Sequence, residues 1–252
     1  MRILVLGGTT EASTLARLLA GDVRFKATLS LAGRTNSPRP QPIATRIGGF
    51  GGVPGLAAWL AAERVDAVID ATHPYAAQIS ANATEACRQV GIPLVSVVRP
   101  CWQPVAGDDW HEVASADAAA LAIGVMPRRV FLGVGRQELH RFAIAPQHHY
   151  VARVIDLPAG ERMPPDMRLI QARGPFEREA ERALLADSRI EVVVTKNSGG
   201  TATFAKVEAA RDLGLPVIMV RRPGKPASHV VSNPEEALRW LAEVRSPSRR
   251  GV

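Results

Sequence analysis

Short, unbroken apolar runs, each ended by a turn and followed by a helical pattern, recur along this chain and restrict its fold. Arg2–Leu6 is the first such run. It passes through Gly7-Gly8 into Glu11–Ala20, where Ala12, Leu15, Ala16, Leu18 and Leu19 recur at helical spacing. Lys26–Leu31 reads as a second strand, Val53–Glu63 as a helix and Ala67–Asp70 as a strand. Ala76–Val90 reads as a long helix ended by Gly91-Ile92-Pro93, and Leu94–Val98 as the next strand. Strands that are apolar on both faces and alternate with helices belong to a parallel sheet covered on both sides.

The alternation pauses from Arg99 to about Ser115, where Pro100, Pro104 and Gly107-Asp108-Asp109 break any period. It then resumes with a helix over Asp117–Ile123, capped by Ser115. Val130–Gly133, Tyr150–Val154, Leu169–Gln171, Val192–Lys196 and Val217–Val220 read as strands. Phe176–Ala186, Thr203–Asp212 and Pro234–Val244 read as helices. The expected architecture is α/β: two Rossmann-like, doubly wound parallel-sheet domains with a ligand cleft between them. The expected division is 1–115 for a nucleotide-binding domain and 116–245 for a substrate-binding domain, with 246–252 as a flexible tail. With 252 residues the chain is long enough for two such cores.

Charge separates the halves. Residues 1–125 carry ten basic and ten acidic side chains, whereas residues 126–252 carry twenty-one and fourteen. A basic second half asks for an acidic partner. The basic residues are dispersed, without aromatic stacking runs or a nucleic-acid motif, so a polyanionic small molecule is favoured over nucleic acid. No apolar stretch approaches the roughly 20 residues of a membrane-spanning helix. The N-terminal run is too short for a signal peptide, so a cytoplasmic location is expected. Cys87 and Cys101 form no disulfide framework, no Cys/His spacing suggests a metal site, and His148-His149 reads as a satisfied or surface pair.

The turn Gly7-Gly8-Thr9-Thr10-Glu11-Ala12 joins a strand to a helix, the context of a pyrophosphate site. Gly7 and Ala12 fit the first and third positions of G-x-G-x-x-G/A, but Thr9 replaces the second glycine. Close backbone approach to phosphate then fails unless the Thr9 hydroxyl itself binds it; the alternative is a plain tight turn. The second strand ends Ser30-Leu31-Ala32-Gly33-Arg34-Thr35, without the acid that would hold ribose hydroxyls. Ser30, Arg34 and Thr35 suit a 2′-phosphate, which favours NADPH, unless Arg34 is a solvated loop residue.

Other strand-to-helix turns offer candidates at the carboxyl edge, where such folds bind ligands. Thr72 either caps a helix or meets cofactor, His73 is a candidate proton donor or carboxylate contact, and Tyr75 either stacks on nicotinamide or packs. Gly51, in Gly48–Gly52, lines the nicotinamide pocket or belongs to a hinge. In the second half, Lys196 and Ser198 of Thr195–Gly200 form a candidate anion nest. Arg136 and Arg173 sit in turns after strands, and Arg99 follows a strand of the first half. Lys206, inside the next helix, is either a further substrate contact or a surface lysine.

Ten segments in order resemble the precorrin-6A reductase family: residues 7–12, 30–35, 48–52, 70–76, 99–102, 135–137, 173–176, 195–200, 205–206 and 221–223. Cys101 and Gly224-Lys225 look like ordinary variable positions within that pattern. The resemblance implies NADPH-dependent reduction of one ring double bond of precorrin-6A to precorrin-6B in cobalamin biosynthesis, without metal or flavin. It also implies a substrate bearing several acetate and propionate carboxylates, matching the basic second half. Neighbouring cobalamin-pathway enzymes are candidate partners. A reductase of another polyanion, or a nucleotide-binding regulatory module without chemistry, are the alternatives. In the expected reaction His73 is the candidate proton source, with solvent or a substrate carboxyl group as the other options.

Overall fold

The computed structural model describes residues 1–33, 39–158, 162–226 and 228–245. The elements run β1 (Arg2–Leu6), α1 (Thr10–Ala20), β2 (Lys26–Leu31), β3 (Ala44–Ile47), α2 (Gly52–Ala62), β4 (Ala67–Asp70), α3 (Ala77–Val90) and β5 (Leu94–Val97). They continue with β6 (Trp110–Val113), α4 (Ala116–Ala122), β7 (Arg129–Gly133), a 3-10 helix (Arg136–Ile144), β8 (His149–Val154) and β9 (Met167–Gln171). The chain ends with α5 (Arg178–Asp187), β10 (Val192–Lys196), α6 (Ala205–Asp212), β11 (Val217–Val220), β12 (His229–Val231) and α7 (Pro234–Arg245).

Among the described residues the strands form two six-stranded sheets, ordered β12-β5-β4-β1-β2-β3 and β6-β11-β10-β7-β8-β9. Every pairing is parallel. In each sheet the strand order reverses at the centre, between β1 and β4 and between β7 and β10. The crevice at such a reversal, outside the carboxyl ends of the strands, is where this architecture binds ligands.

The apolar runs explain the layers. Successive residues of β1 point to opposite faces. Ile3 and Val5 join Leu15, Leu19, Ala237 and Leu241 on the face covered by α1 and α7. Leu4 and Leu6 join Leu56, Leu60, Ala83 and Ala86 under α2 and α3. In the second sheet Phe131, Val151 and Val193 pack with Leu185 and Val207 of α5 and α6. Tyr150 is fully buried, and its hydroxyl donates to the Ala145 carbonyl at 2.8 Å. The expected Ser115 cap is present, its Oγ accepting from Ala118 N at 3.1 Å.

The division of the chain differs from the expected 115/116 boundary. One unit comprises residues 1–100 and 223–252, and the other residues 101–222. The chain leaves the first sheet after β5 and supplies β6 to the edge of the second, beside β11. After β11 it returns and supplies β12 to the first sheet, beside β5. Each sheet thus takes its sixth strand from sequence flanking the other unit, and α7 closes the first core instead of the second. These crossing strands carry little burial, so no apolar run marks them. The 246–252 tail, Arg34 and Thr35 lie outside the described residues. No described helix is long and apolar enough to cross a membrane.

Candidate active site

In the first unit the carboxyl edge at the β1/β4 reversal carries a small crevice lined by Thr9, Glu11, Thr72, Pro74, Val97 and Arg99. The turn after β1 is held against β2, with Gly7 N donating to Ser30 O at 2.9 Å. A Cβ on Gly7 would lie 2.6 Å from Leu29 Cδ1, so only glycine lets the strands and α1 close together here. Thr9 caps α1: its Oγ1 accepts from Ala12 N at 3.1 Å and donates to Ala71 O at 2.7 Å. Its hydroxyl is therefore engaged in joining the two loops that flank the crevice. Among the described residues no acceptor is bonded to the backbone N–H groups of Gly8, Thr9 or Thr10. They form a donor set at the positive end of the α1 dipole, which suits a pyrophosphate.

Glu11 stands beside these donors and bonds Arg99 Nη1 through both carboxylate oxygens, at 2.9 and 2.8 Å. Burial alone would raise its carboxyl group, but the hydrogen bonds and charge of Arg99 bring it below the usual carboxylate range. The two residues assigned separately to cofactor and substrate thus meet in one partly buried pair within the first unit.

Asp70 ends β4 and is 1% exposed. Its carboxylate accepts from Thr72 N at 3.1 Å, Thr72 Oγ1 at 2.6 Å and Ser80 Oγ at 2.6 Å. Thr72 is therefore pinned by Asp70 and does not cap α3, whose N-cap position is Ala76. Lys225 Nζ reaches Asp70 Oδ2 and Thr72 Oγ1, both at 3.3 Å. The position taken as ordinary in the sequence thus brings a cation to this edge on the returning segment. His73 is partly buried, and its Nδ1 accepts from Tyr75 N at 3.3 Å. In the neutral ring that bond puts the proton on Nε2. Its ring lies 5.6 Å from that of Tyr75. Gly51 occupies the N-cap position of α2 with φ of 82°.

One residue that sequence reasoning missed is Arg46, paired in register with Ser30 across β2 and β3. Its Nη1 donates to Ser30 Oγ at 2.7 Å and Gly48 O at 3.0 Å, and its Nη2 to Gly49 O at 3.0 Å. The one available signal was an Arg just before the Gly48–Gly52 turn.

In the second unit the corresponding edge holds Lys196, Ser198, Arg136 and Arg173. Lys196 ends β10, and its Nζ bonds Glu138 Oε1 at 3.0 Å. The following loop is fastened to Trp102. Asn197 Oδ1 accepts from Trp102 N at 2.8 Å, Asn197 Nδ2 donates to Trp102 O at 3.0 Å, and Trp102 Nε1 donates to Gly200 O at 2.7 Å. Arg222 Nε donates to Asn197 O at 2.7 Å. The turn carrying Arg173 meets this loop, with Phe176 N donating to Ala202 O at 3.3 Å. Arg136 opens the 3-10 helix directly after Gly135.

Lys206 is not the surface lysine that was one of its two sequence expectations. It is buried, with Nζ donating to Thr203 O at 2.6 Å and lying 5.0 Å from the Trp102 ring. Burial, reinforced by the nearby Arg153 charge and opposed by Glu181, lowers its ammonium group to about 7. A Cβ on Gly133 would lie 3.0 Å from Lys206 Cε, so the glycine ending β7 makes room for this side chain. Lys206 supports the loop from inside. Arg153 is likewise committed, in a buried ion pair with Glu181 and stacked 3.8 Å over Phe176.

The family model described as Precorrin-6x reductase CbiJ/CobK matches residues 2–242. The chain is 51% identical over 251 residues to the Precorrin-6A reductase of Rhodobacter capsulatus, covering 100% of this chain and 99% of that one. It is 42% identical over 249 residues to the Precorrin-6A reductase of Mycobacterium tuberculosis, covering 98% and 99%. A solved structure of a CobK precorrin-6A reductase, 50% identical, matches with a TM-score of 0.93 and covers 99% of each chain.

Proposed function

Because the chain belongs to the precorrin-6x reductase family, we propose that it reduces one ring double bond of precorrin-6A to give precorrin-6B, using NADPH, on the route to cobalamin. The observation that carries the cofactor half of this reading is the unbonded N–H set at the start of α1, set at the β1/β4 reversal. When bound, NADPH supplies a hydride, which carries both electrons to one ring carbon and leaves NADP⁺. A proton added at the neighbouring ring carbon completes the reduction.

The chain's own groups divide the work. Backbone N–H groups of Gly8, Thr9 and Thr10 hold the pyrophosphate, with Thr9 fixing their geometry through its cap and its bond to Ala71. Arg99 neutralises Glu11, which would otherwise repel the phosphates from the helix terminus. Ser30 lies on the adenosine side, where Arg34 and Thr35 are further candidates. Thr72 and Gly51 line the nicotinamide side. His73 is the candidate general acid, and Tyr75 packs beside it.

In the second unit Arg136, Arg173, Lys196 and Ser198 hold the substrate carboxylates. Fixing several carboxylates at once orients the ring for hydride acceptance, and such orientation supplies a large part of the rate. Lys206 and Trp102 act beneath this surface, as supports of the Asn197–Phe204 loop.

The test is an anaerobic assay following NADPH absorbance on mixing with precorrin-6A, with NADH in parallel. One NADPH consumed per two-electron-reduced product, and slower use of NADH, is expected. Absence of consumption, with NADPH nevertheless bound, would remove precorrin-6A as the substrate.

A further inference from the structure

The adenosine side of the first unit contains a guanidinium whose placement goes beyond family membership. Arg46 stands at the carboxyl end of β3, in register with Ser30 of β2, and Ser30 is in register with Leu6 just before the glycine turn. The guanidinium is fixed on three sides. Ser30 Oγ and the carbonyls of Gly48 and Gly49 accept three of its protons, and the Phe50 ring lies 3.8 Å beneath it. Trp59 stands 5.8 Å away and meets Phe50 edge-on.

All three bonded acceptors are neutral. Among the described residues no carboxylate pairs with Arg46, whereas Arg99, Arg153 and Arg211 each have a close carboxylate partner. Two of its five N–H groups, at Nε and on Nη2, have no acceptor among the described residues. Burial pushes the pKa of its guanidinium below the ordinary arginine value, as befits a cation held without a counter-charge.

The carboxyl end of the second strand is where a doubly wound fold reads the 2′ position of the adenosine ribose. An acid there accepts from a 2′-hydroxyl; the described residues at this end, Ser30-Leu31-Ala32-Gly33, include none. We propose that Arg46, braced by Ser30 and stacked on Phe50, recognises the 2′-phosphate of the cofactor and sets the preference for NADPH over NADH. This rests on the reading of the first unit as the cofactor domain. It assigns specificity to a clamp formed across β2 and β3, instead of to Ser30, Arg34 and Thr35 alone.

The experiment is calorimetric titration of the full-length protein with 2′,5′-ADP and with 5′-AMP, for the natural chain, Arg46→Gln and Arg46→Lys. Far-UV circular dichroism and thermal unfolding accompany each variant. The natural chain should bind 2′,5′-ADP at least about tenfold more tightly than 5′-AMP, the scale of one charge-assisted bidentate contact. Arg46→Gln should bring the two affinities within about threefold while leaving 5′-AMP binding unchanged. Arg46→Lys, which keeps the charge but loses the planar fork, should fall between. An unchanged ratio in Arg46→Gln would overturn the proposal, leaving Arg46 as a clamp on the Gly48–Gly52 turn. Loss of both ligands together in both variants would assign it a purely structural role. If the natural chain bound neither nucleotide, the cofactor-domain reading itself would fall.

Discussion

Replacing Lys206 by Met should change how stability depends on pH more than it changes stability at any one pH. Lys206 is 6% exposed, and its ammonium group is lowered to about 7 from an ordinary 10.5, first by burial and then by Arg153, against the opposing pull of Glu181. Below about pH 7 both folded and unfolded chains carry the proton, and the folded state bears the whole cost of burying it. Between about 7 and 10.5 the unfolded chain binds the proton and the folded chain does not, so folding stability rises with pH across this window. Above 10.5 both states are neutral and the penalty is gone. At roughly 1.4 kcal/mol per pKa unit, the penalty is about 4 kcal/mol at pH 7 and about 2 kcal/mol at pH 9. Met fills a similar volume without the charge, but leaves the Thr203 carbonyl without its donor, a pH-independent loss of about 1–3 kcal/mol. The Met variant should therefore be more stable than the natural chain at pH 7 and less stable at pH 10.5. Urea denaturation at half-unit steps of pH, following the transition of the second unit, reads this directly. From pH 7 to 9 the natural chain should gain about 2 kcal/mol on the variant, or roughly 1 M in midpoint. Parallel curves across that range would mean that Lys206 is charged at neutral pH at little cost, and would refute the reasoning.

Thr9→Val should lower the melting temperature of the first unit, since it removes a helix cap of about 0.5–2 kcal/mol as well as the bond to Ala71. Thr9→Ser should restore most of it, and calorimetric melting checks both. His73→Asn should lower kcat by roughly a hundredfold to ten-thousandfold with the NADPH KM nearly unchanged. An unchanged kcat in steady-state assays would transfer the proton donation to solvent or a substrate carboxyl group. Glu11 has a lowered carboxyl group, so its pairing stabilises the fold above the ordinary value of 4.5, and that contribution is lost as pH falls through its lower folded-state value. Acid titration monitored by circular dichroism should show this segment of the acid transition missing in Glu11→Gln.

The central strands were legible because both their faces are buried, so Ile-Leu-Val-Leu or Val-Val-Val-Thr admits one reading. β3, β6 and β12 were not. At the sheet edges most of their residues face solvent, and Ala-Thr-Arg-Ile or His-Val-Val carries no period that separates strand from loop. Missing β6 and β12 moved the domain boundary, since those two strands carry the crossings. The β12–β5 pairing joins segments on either side of the whole second unit, a relation that no local pattern encodes. The same distinction governs the site. The Gly7–Glu11 turn was readable as a strand-to-helix turn because its glycines and helix start are contiguous, whereas the capping role of Thr9 was not read. Arg46 acquires meaning only through its register with Ser30, and Lys225 only through the return of the chain to Asp70. Lys206 was misjudged because α6 is buried over Ala205–Val207 and again at Ala209 and Ala210, so the helix has little solvent face at its start.

The division of cofactor and substrate between the two units is tested most directly by paired binding titrations of Thr10→Asp and Lys196→Met. Thr10 is exposed at the first position of α1, where an acid suits the helix dipole, so Thr10→Asp should fold normally while opposing a pyrophosphate. It should weaken NADPH binding at least about tenfold and leave precorrin-6A binding unchanged. Lys196→Met should do the reverse, weakening precorrin-6A and sparing NADPH. If either variant weakened both ligands equally, or the two effects were exchanged, the assignment of cofactor to the first unit and tetrapyrrole to the second would be contradicted.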